Sequence, residues 1–141
     1  MKTAALALIA AAAIALPAAA QGPEGAAVTF DFEVGASTGT VMVVLFDSAA
    51  GYDDNAPVRQ AMVDVAAGDR SATFEGLSPG DYAKKSFHDV DADGEMDTNP
   101  FGMPTEPFAF SNNAVGNMGP ASWDRARFAV DVVVTQTIDL K

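Results

Sequence analysis

The sequence predicts an all-β protein, an antiparallel sandwich of about seven strands with one long ordered loop excursion. Three observations carry that expectation. Short segments alternate apolar and polar side chains with a period of two, which puts one face of a strand in a core and the other in water. Gly, Pro, Asp and Asn punctuate these segments at the places where turns are needed. After the first 20 residues no apolar stripe at helical spacing runs on over several turns, and no segment repeats.

The elements follow in order. Residues 21–27 read as a flexible Gly/Pro/Ala tail, and residues 28–141 as a single domain. VTFDFEV sends Val28, Phe30, Phe32 and Val34 one way and Thr29, Asp31 and Glu33 the other, so it is a half-buried strand. GASTG is a turn. TVMVVLFD, Thr40 to Asp47, is continuously β-rich, which suits a central strand covered on both faces. SAAGYDDNAP reads as a polar loop, in which Asp53 and Asp54 belong to a turn. VRQAMVDV, Val58 to Val65, is a weaker strand, and SATFEGL is the next. Pro79 and Gly80 set the turn that leads into the strand YAKKSFH.

Residues 89–126 are then irregular and hold four of the eight prolines. A loop of that length in a compact domain is either functional or disordered. Phe101, Phe108, Phe110 and Trp123 decide for an ordered, packed excursion, because disordered segments are poor in aromatics. SWDRA, 122–126, suggests one helical turn. RFAVDVVV, 127–134, reads as one strand with Phe128, Val130, Val132 and Val134 inward, and QTIDL closes the sheet.

The chain opens MKTAALALIAAAAIALPAAAQG. Lys2 is a short basic region, Ala4 to Leu16 is an apolar run of 13 residues, Pro17 breaks it, and Ala18-Ala19-Ala20 has the small-residue cleavage pattern. This is a Sec-type signal peptide over residues 1–20. The run is too short for a membrane span, which takes about 20 residues. No cysteine follows it, so lipoprotein acylation is excluded, and the expected location is periplasmic or secreted. The remainder has 7 basic and 19 acidic residues, net −12, against −11 for the whole chain. Such a chain repels nucleic acid and anionic membranes and favours cations. With no cysteine in the chain, no disulfide holds the fold, although an exported protein could form one.

The chemistry sits in FHDVDADGEMDTNPFG. Counting Asp89 as position 1, Asp89, Asp91, Asp93 and Asp97 occupy positions 1, 3, 5 and 9, and Gly94 occupies position 6. That is the spacing of an EF-type calcium loop, with alternate carboxylates turned inward, a glycine at the sharp bend and the backbone carbonyl of Glu95 available at position 7. Hard oxygen ligands suit Ca²⁺, whereas zinc would need more than the lone His88. Four carboxylates this close repel in six pairs, so the loop favours a bound cation. Position 12 is Pro100 where an EF-hand has a bidentate Glu, and a strand rather than a helix enters the loop. Asn99, Glu106 or a water must complete the shell. The competing reading is a solvated acidic turn.

His88 would need an orienting acid or nucleophile to act as a base. Its neighbour Asp89 points to the opposite face of a strand, so a structural role fits better. Lys84 and Lys85 break the strand pattern, which requires either an inward-facing lysine or a bulge.

GLSPGDYAKKSFHDVDADGEMDTNPFGMPTEPFAFSNNA, followed by GPASWDRARF, resembles the bacterial exported family catalogued as domain of unknown function 2141. The likeness runs from Gly76 to Phe128. His88, Asp89, Asp91, Asp93, Gly94, Asp97, Gly102, Pro104, Glu106, Phe110, Ser111, Asn112, Asn113, Gly119 and Pro120 match the family pattern. The chain departs from it at Lys84 and Lys85, where hydrophobic residues are usual, at Pro107 for Gly and at Trp123 for Phe. GLSPGDY also resembles the turn-to-strand element of transthyretin-like and carboxypeptidase-regulatory-like sandwiches, which implies an immunoglobulin-like or transthyretin-like arrangement. Hydroxyisourate hydrolases share that fold but end in Tyr-Arg-Gly-Ser and use several histidines, and this chain ends Ile-Asp-Leu-Lys.

The reading is an exported, non-catalytic module of unestablished role, stabilised by one Ca²⁺ on Asp89, Asp91, Asp93, Glu95 and Asp97, with a surface protein or glycan as partner. The alternatives are a hydrolase using His88 and the loop acids, and a metal-free structural envelope protein. The signal-peptide reading makes the exported form begin at Gln21. Intact-mass analysis of exported protein should show residues 1–20 lost, and retained Met1 would contradict it.

Overall fold

Eight strands in two sheets build the protein. In this computed structural model residues 25–141 are described, so the predicted signal peptide and residues 21–24 of the tail lie outside the described residues. The elements are β1 (Ala26–Val34), β2 (Thr40–Phe46), α1 (Ala49–Asp53), β3 (Arg59–Asp64), β4 (Ser71–Leu77), β5 (Gly80–Asp89), β6 (Phe108–Phe110), a 3-10 turn (Ser111–Asn113), α2 (Trp123–Ala126), β7 (Phe128–Val130) and β8 (Val133–Leu140). One sheet has the order β4-β1-β8. The other has the order β3-β2-β5-β6, with β7 beside the first residues of β5. Among the described residues no helix is long and apolar enough to cross a membrane.

The main core lies between the sheets, and the alternation of β1 generates its centre. Val28, Phe30 and Phe32 are buried while Asp31 and Glu33 are exposed. Phe30 meets Phe74 of β4 and Phe128 of β7 edge-on, with ring centroids 6.3 and 5.9 Å apart, the orientation that aromatic quadrupoles favour. A second apolar cluster of Phe46, Tyr52, Ala83, Phe110, Ala121 and Ala126 covers the outer face of the β2/β5 sheet. The excursion supplies half of it. Phe110 and Trp123 pack there, but Phe101 is 89% exposed and Phe108 48% exposed, so two of the four aromatics expected to anchor the excursion do not.

Four expectations need correction. The segment 127–134 is two strands: the chain leaves β7 at Asp131, Val132 is 70% exposed, and β8 runs beside β1 in the other sheet. Passing between sheets at that point makes the β1–β8 pair parallel, from Ala27↔Val133 to Val34↔Leu140, while the other strand pairs are antiparallel. The first strand begins at Ala26, whose side chain is buried, two residues before the start at Val28 that the alternation predicts. The segment read as a polar loop contains α1, capped by Ser48, whose Oγ accepts the Gly51 N–H at 3.0 Å. Its Tyr52 is buried and donates to the Ala121 carbonyl at 2.7 Å.

The lysine pair resolves without a bulge. β5 pairs with β2 in unbroken register from Thr40↔Asp89 to Phe46↔Ala83. Tyr82, Lys84, Ser86 and His88 therefore face the core between the sheets, and Ala83, Lys85 and Asp89 face the excursion. Lys85 lies over the rings of Phe46 and Tyr52 and donates to the Tyr52 carbonyl at 2.8 Å. Lys84 is fully buried, and burial holds its amine down to about 7. The Phe30 and Phe32 rings, each 5.5 Å from Nζ, favour a cation there by about 1–2 kcal/mol. Desolvation of an unpaired ammonium costs several kcal/mol and wins.

The excursion is tied down by Ser111, Asn112 and Asn113. The Lys84 backbone N–H donates to Ser111 Oγ at 2.9 Å, and that hydroxyl donates to the Ala126 carbonyl. Asn112 sits at φ 61°, donates to the carbonyls of Arg125 and Arg127 at 3.1 and 2.9 Å, and accepts from Gln136 at 3.0 Å. Asn113 bonds the β8 backbone at Thr137 and Asp139. Three consecutive side chains thus join β5, α2 and β8. Asn112→Ala loses these bonds and puts a Cβ-bearing residue without a polar side chain at positive φ, so stability should fall by about 2–3 kcal/mol. Asn112→Gly should cost less. Urea midpoints measure both, and an Ala variant with the wild-type midpoint would contradict the clamp.

Candidate metal centre

β5 delivers Asp89 as its last residue, with a side chain that is only 2% exposed. From there each carboxylate holds the chain that follows. Asp89 accepts the N–H groups of Asp93 and Gly94 at 3.2 and 2.8 Å, Asp91 accepts Asp93 N–H at 3.3 Å, and Asp93 accepts Glu95 N–H at 2.9 Å. The Asp91 and Asp93 bonds are Asx turns, in which a short carboxylate reaches the backbone two residues on, while Asp89 reaches four and five residues on to close the whole loop. Gly94 takes φ +85°, the bend that its place in the spacing assigned it.

Residues 97–106 then form a hairpin. Thr98 bridges Pro104, Thr105 N–H donates to the Asp97 carbonyl at 2.8 Å, and Asn99 N–H donates to the Met103 carbonyl at 2.8 Å. Asn99 Oδ1 accepts both Phe101 and Met103 N–H groups at the tip. The hairpin returns Glu106 to the start of the loop. Its Oε1 accepts Val90 N–H at 2.9 Å and its Oε2 accepts Asp97 N–H at 3.2 Å, and the residue is buried.

Two acidic groups result. Asp89, Asp91 and Glu106 each place a carboxylate oxygen within 4.8 Å of the others, and so do Asp91, Asp93 and Asp97. Asp91 belongs to both. Each group is close enough to hold a metal ion. Every N–H bond takes one lone pair of an oxygen and leaves a second available. Asp91 is held above the usual carboxylate range, first by lost solvation and then by the Asp89 carboxyl that hydrogen-bonds it, with Asp93 and Asp97 adding like charge.

The four predicted aspartates fall into two groups that share Asp91, and neither group holds all four. Glu95 is exposed and its side chain is in neither group. Glu106 is in one, six positions beyond the place where an EF-type loop has its last ligand. Asn99 is committed to the hairpin tip.

His88 lies beneath this loop and is sealed from solvent. Its Nε2 stands 2.6 Å from the Thr38 carbonyl, which can only accept, so this nitrogen carries a proton. Its Nδ1 is buried with no partner among the described residues, and its backbone N–H donates to the Pro107 carbonyl at 2.8 Å. Thr38 Oγ1 donates to the Val90 carbonyl at 3.2 Å. The ring thus anchors the β1–β2 turn against the strand end that carries Asp89. A surface hollow lined by Phe108, Phe110, Asn113, Ala114, Val115 and Gly119, and another lined by Pro57–Gln60, include none of His88, Glu106 and Asn112. Asn112 bonds a different set of residues altogether.

A family model described as "Uncharacterized protein conserved in bacteria (DUF2141)" matches residues 32–137. The chain belongs to this family. No curated protein and no solved structure matches it.

The closest backbone approach at the site is testable. Gly39 has φ +75°, and a Cβ there would stand 2.0 Å from the Asp89 carbonyl oxygen and 2.8 Å from Val90 Cα. Gly39→Ala must push the turn off the strand end, so it should cost more than about 2 kcal/mol of stability. Denaturant unfolding measures it, and an unperturbed midpoint would contradict the packing described.

Proposed function

We propose that the protein is an exported, non-catalytic β-sandwich module that binds one Ca²⁺ through Asp89, Asp91, Asp93, Asp97 and Glu106, and that the ion fastens the excursion to the sandwich. The return of Glu106 beside Asp89 and Asp91 carries this reading. A buried carboxylate at that point supplies the late ligand that the EF-type spacing lacks. The donors are all oxygens, which suits Ca²⁺, with its six to eight ligands, better than zinc. The Glu95 carbonyl and water are further oxygen sources. An affinity of about 10⁻⁴ M is expected, as in extracellular modules.

The non-catalytic part of the proposal rests on His88, which has no path to a substrate and spends its Nε2 proton on a backbone carbonyl. The exported location rests on the sequence of residues 1–20. A surface protein or glycan remains the class of partner proposed, and the uncharged hairpin tip with exposed Phe101 and Met103 is the surface proposed for it.

At calcium about 100-fold above the dissociation constant, binding contributes roughly 2.7 kcal/mol. For a domain of this size that is a rise of roughly 10 °C in Tm. Thermal melting with millimolar calcium and with chelator should show the rise in wild type. Glu106→Gln and Asp91→Ala should lose it while still melting cooperatively in chelator. Identical wild-type melts in both solutions would leave a solvated acidic turn and a metal-free structural envelope protein.

A further inference from the structure

Lys84 takes no part in the metal centre, yet it is the one lysine or arginine fully buried among the described residues. Its surroundings suit a neutral amine. Nζ has two acceptors in reach, Ser86 Oγ at 2.8 Å and the Ala109 carbonyl at 3.3 Å, which matches the two N–H groups of an amine and leaves one N–H of an ammonium unmet. The elements around it offer no counter-ion. β1 presents Phe30 and Phe32, with Asp31 and Glu33 on its other face. β2 presents Val43 and Leu45, β8 presents Ile138 and Leu140, and β7 presents Val130. On β5 itself the titratable neighbours along the same face are Tyr82, which donates to the Ser78 carbonyl, and His88, turned to Thr38.

A proton added to Lys84 has to find water, and the cheapest route is through β6. That strand has three residues and lies at the sheet edge, whereas β1 and β2 are central. The Ala109 carbonyl of β6 is also the acceptor shared by Lys84 and Ser86. We propose that Lys84 is a proton-operated latch: neutral, it ties the β6 edge to the core, and protonated, it lets that edge open and loosens the return leg of the excursion. The depressed basicity of the amine agrees in direction. Between pH about 7 and the ordinary lysine range near 10.5, the unfolded chain binds more protons at this residue. Stability therefore rises with pH across that window, and below about 7 the penalty is fully present.

Two measurements on the mature protein, both in chelator so that calcium plays no part, test the latch. A carbon-13 NMR titration of the lysine Cε signals should show one lysine with a midpoint near 7, absent from Lys84→Met. Amide exchange of residues 106–111, corrected for intrinsic rates and referred to β2, should be several-fold faster at pH 6 than at pH 9 in wild type. In Lys84→Met that ratio should approach one. Every lysine titrating above pH 9, or equal pH dependence of exchange in both proteins, would overturn the proposal. If the variant does not fold, the wild-type titration still decides it.

Discussion

β5 has no solvent-facing side along most of its length, and the rest of the molecule follows from covering it. Its inner face meets the β4-β1-β8 sheet through Phe30 and Phe32, and its outer face meets the excursion through Phe110, Ala121 and Ala126. Among the described residues no third sheet supplies the outer cover. It comes from residues 89–126, which have almost no ladder of their own. Side-chain hydrogen bonds hold that segment instead: Ser111 under the Lys84 backbone, Asn112 at the end of α2, and Asn113 along β8. The inner face of this strand carries Lys84, Ser86 and His88, and Lys84 Nζ, Ser86 Oγ and His88 Nε2 are each matched to a neighbouring carbonyl or hydroxyl.

The same strand ends in Asp89, and the acidic loop is organised by backbone rather than by side-chain cations. Asp89, Asp91, Asp93 and Glu106 each accept one or two backbone N–H donors, and the donors fix where those oxygens point. The proton affinity of Asp91 is raised first by lost solvation, then by the Asp89 carboxyl, with like charge from Asp93 and Asp97 adding to it. A divalent cation there would offset that like charge. The hairpin from Asp97 to Glu106 begins and ends on members of the two acidic groups, so an ion there would grip both of its strands.

Much of this was legible in the residues. The alternation of Val28, Phe30 and Phe32, the β-rich run of β2 and the turn chemistry at Pro79 and Gly80 are local signals, and local signals survive folding. The aspartate spacing and Gly94 are local too. What the residues hid depends on contacts far apart in the chain. Phe128 to Val134 keeps one period of two while the backbone changes sheets at Asp131, and periodicity carries no record of such a crossing. Tyr52 stands alone as an apolar side chain among Ala, Gly and Asp, and only its partners Phe46 and Trp123 make it a core residue. Glu106 is one of three candidates for the missing ligand, but the hairpin that returns it to Asp89, capped by the Asn99 side chain, leaves no periodic mark in the sequence. Ser111-Asn112-Asn113 reads as loop by composition, and its role shows only when the carbonyls it meets are known.

The central claim is that Asp89, Asp91, Asp93, Asp97 and Glu106 converge on one cation. Crystals of the mature protein grown with terbium(III) in place of calcium and measured for anomalous scattering test this most directly. The account predicts a single strong peak bonded to Asp89, Asp91 and Glu106, with Asp93 or Asp97 in the same shell. Crystals with ordered loop density and no anomalous peak among these carboxylates would contradict it.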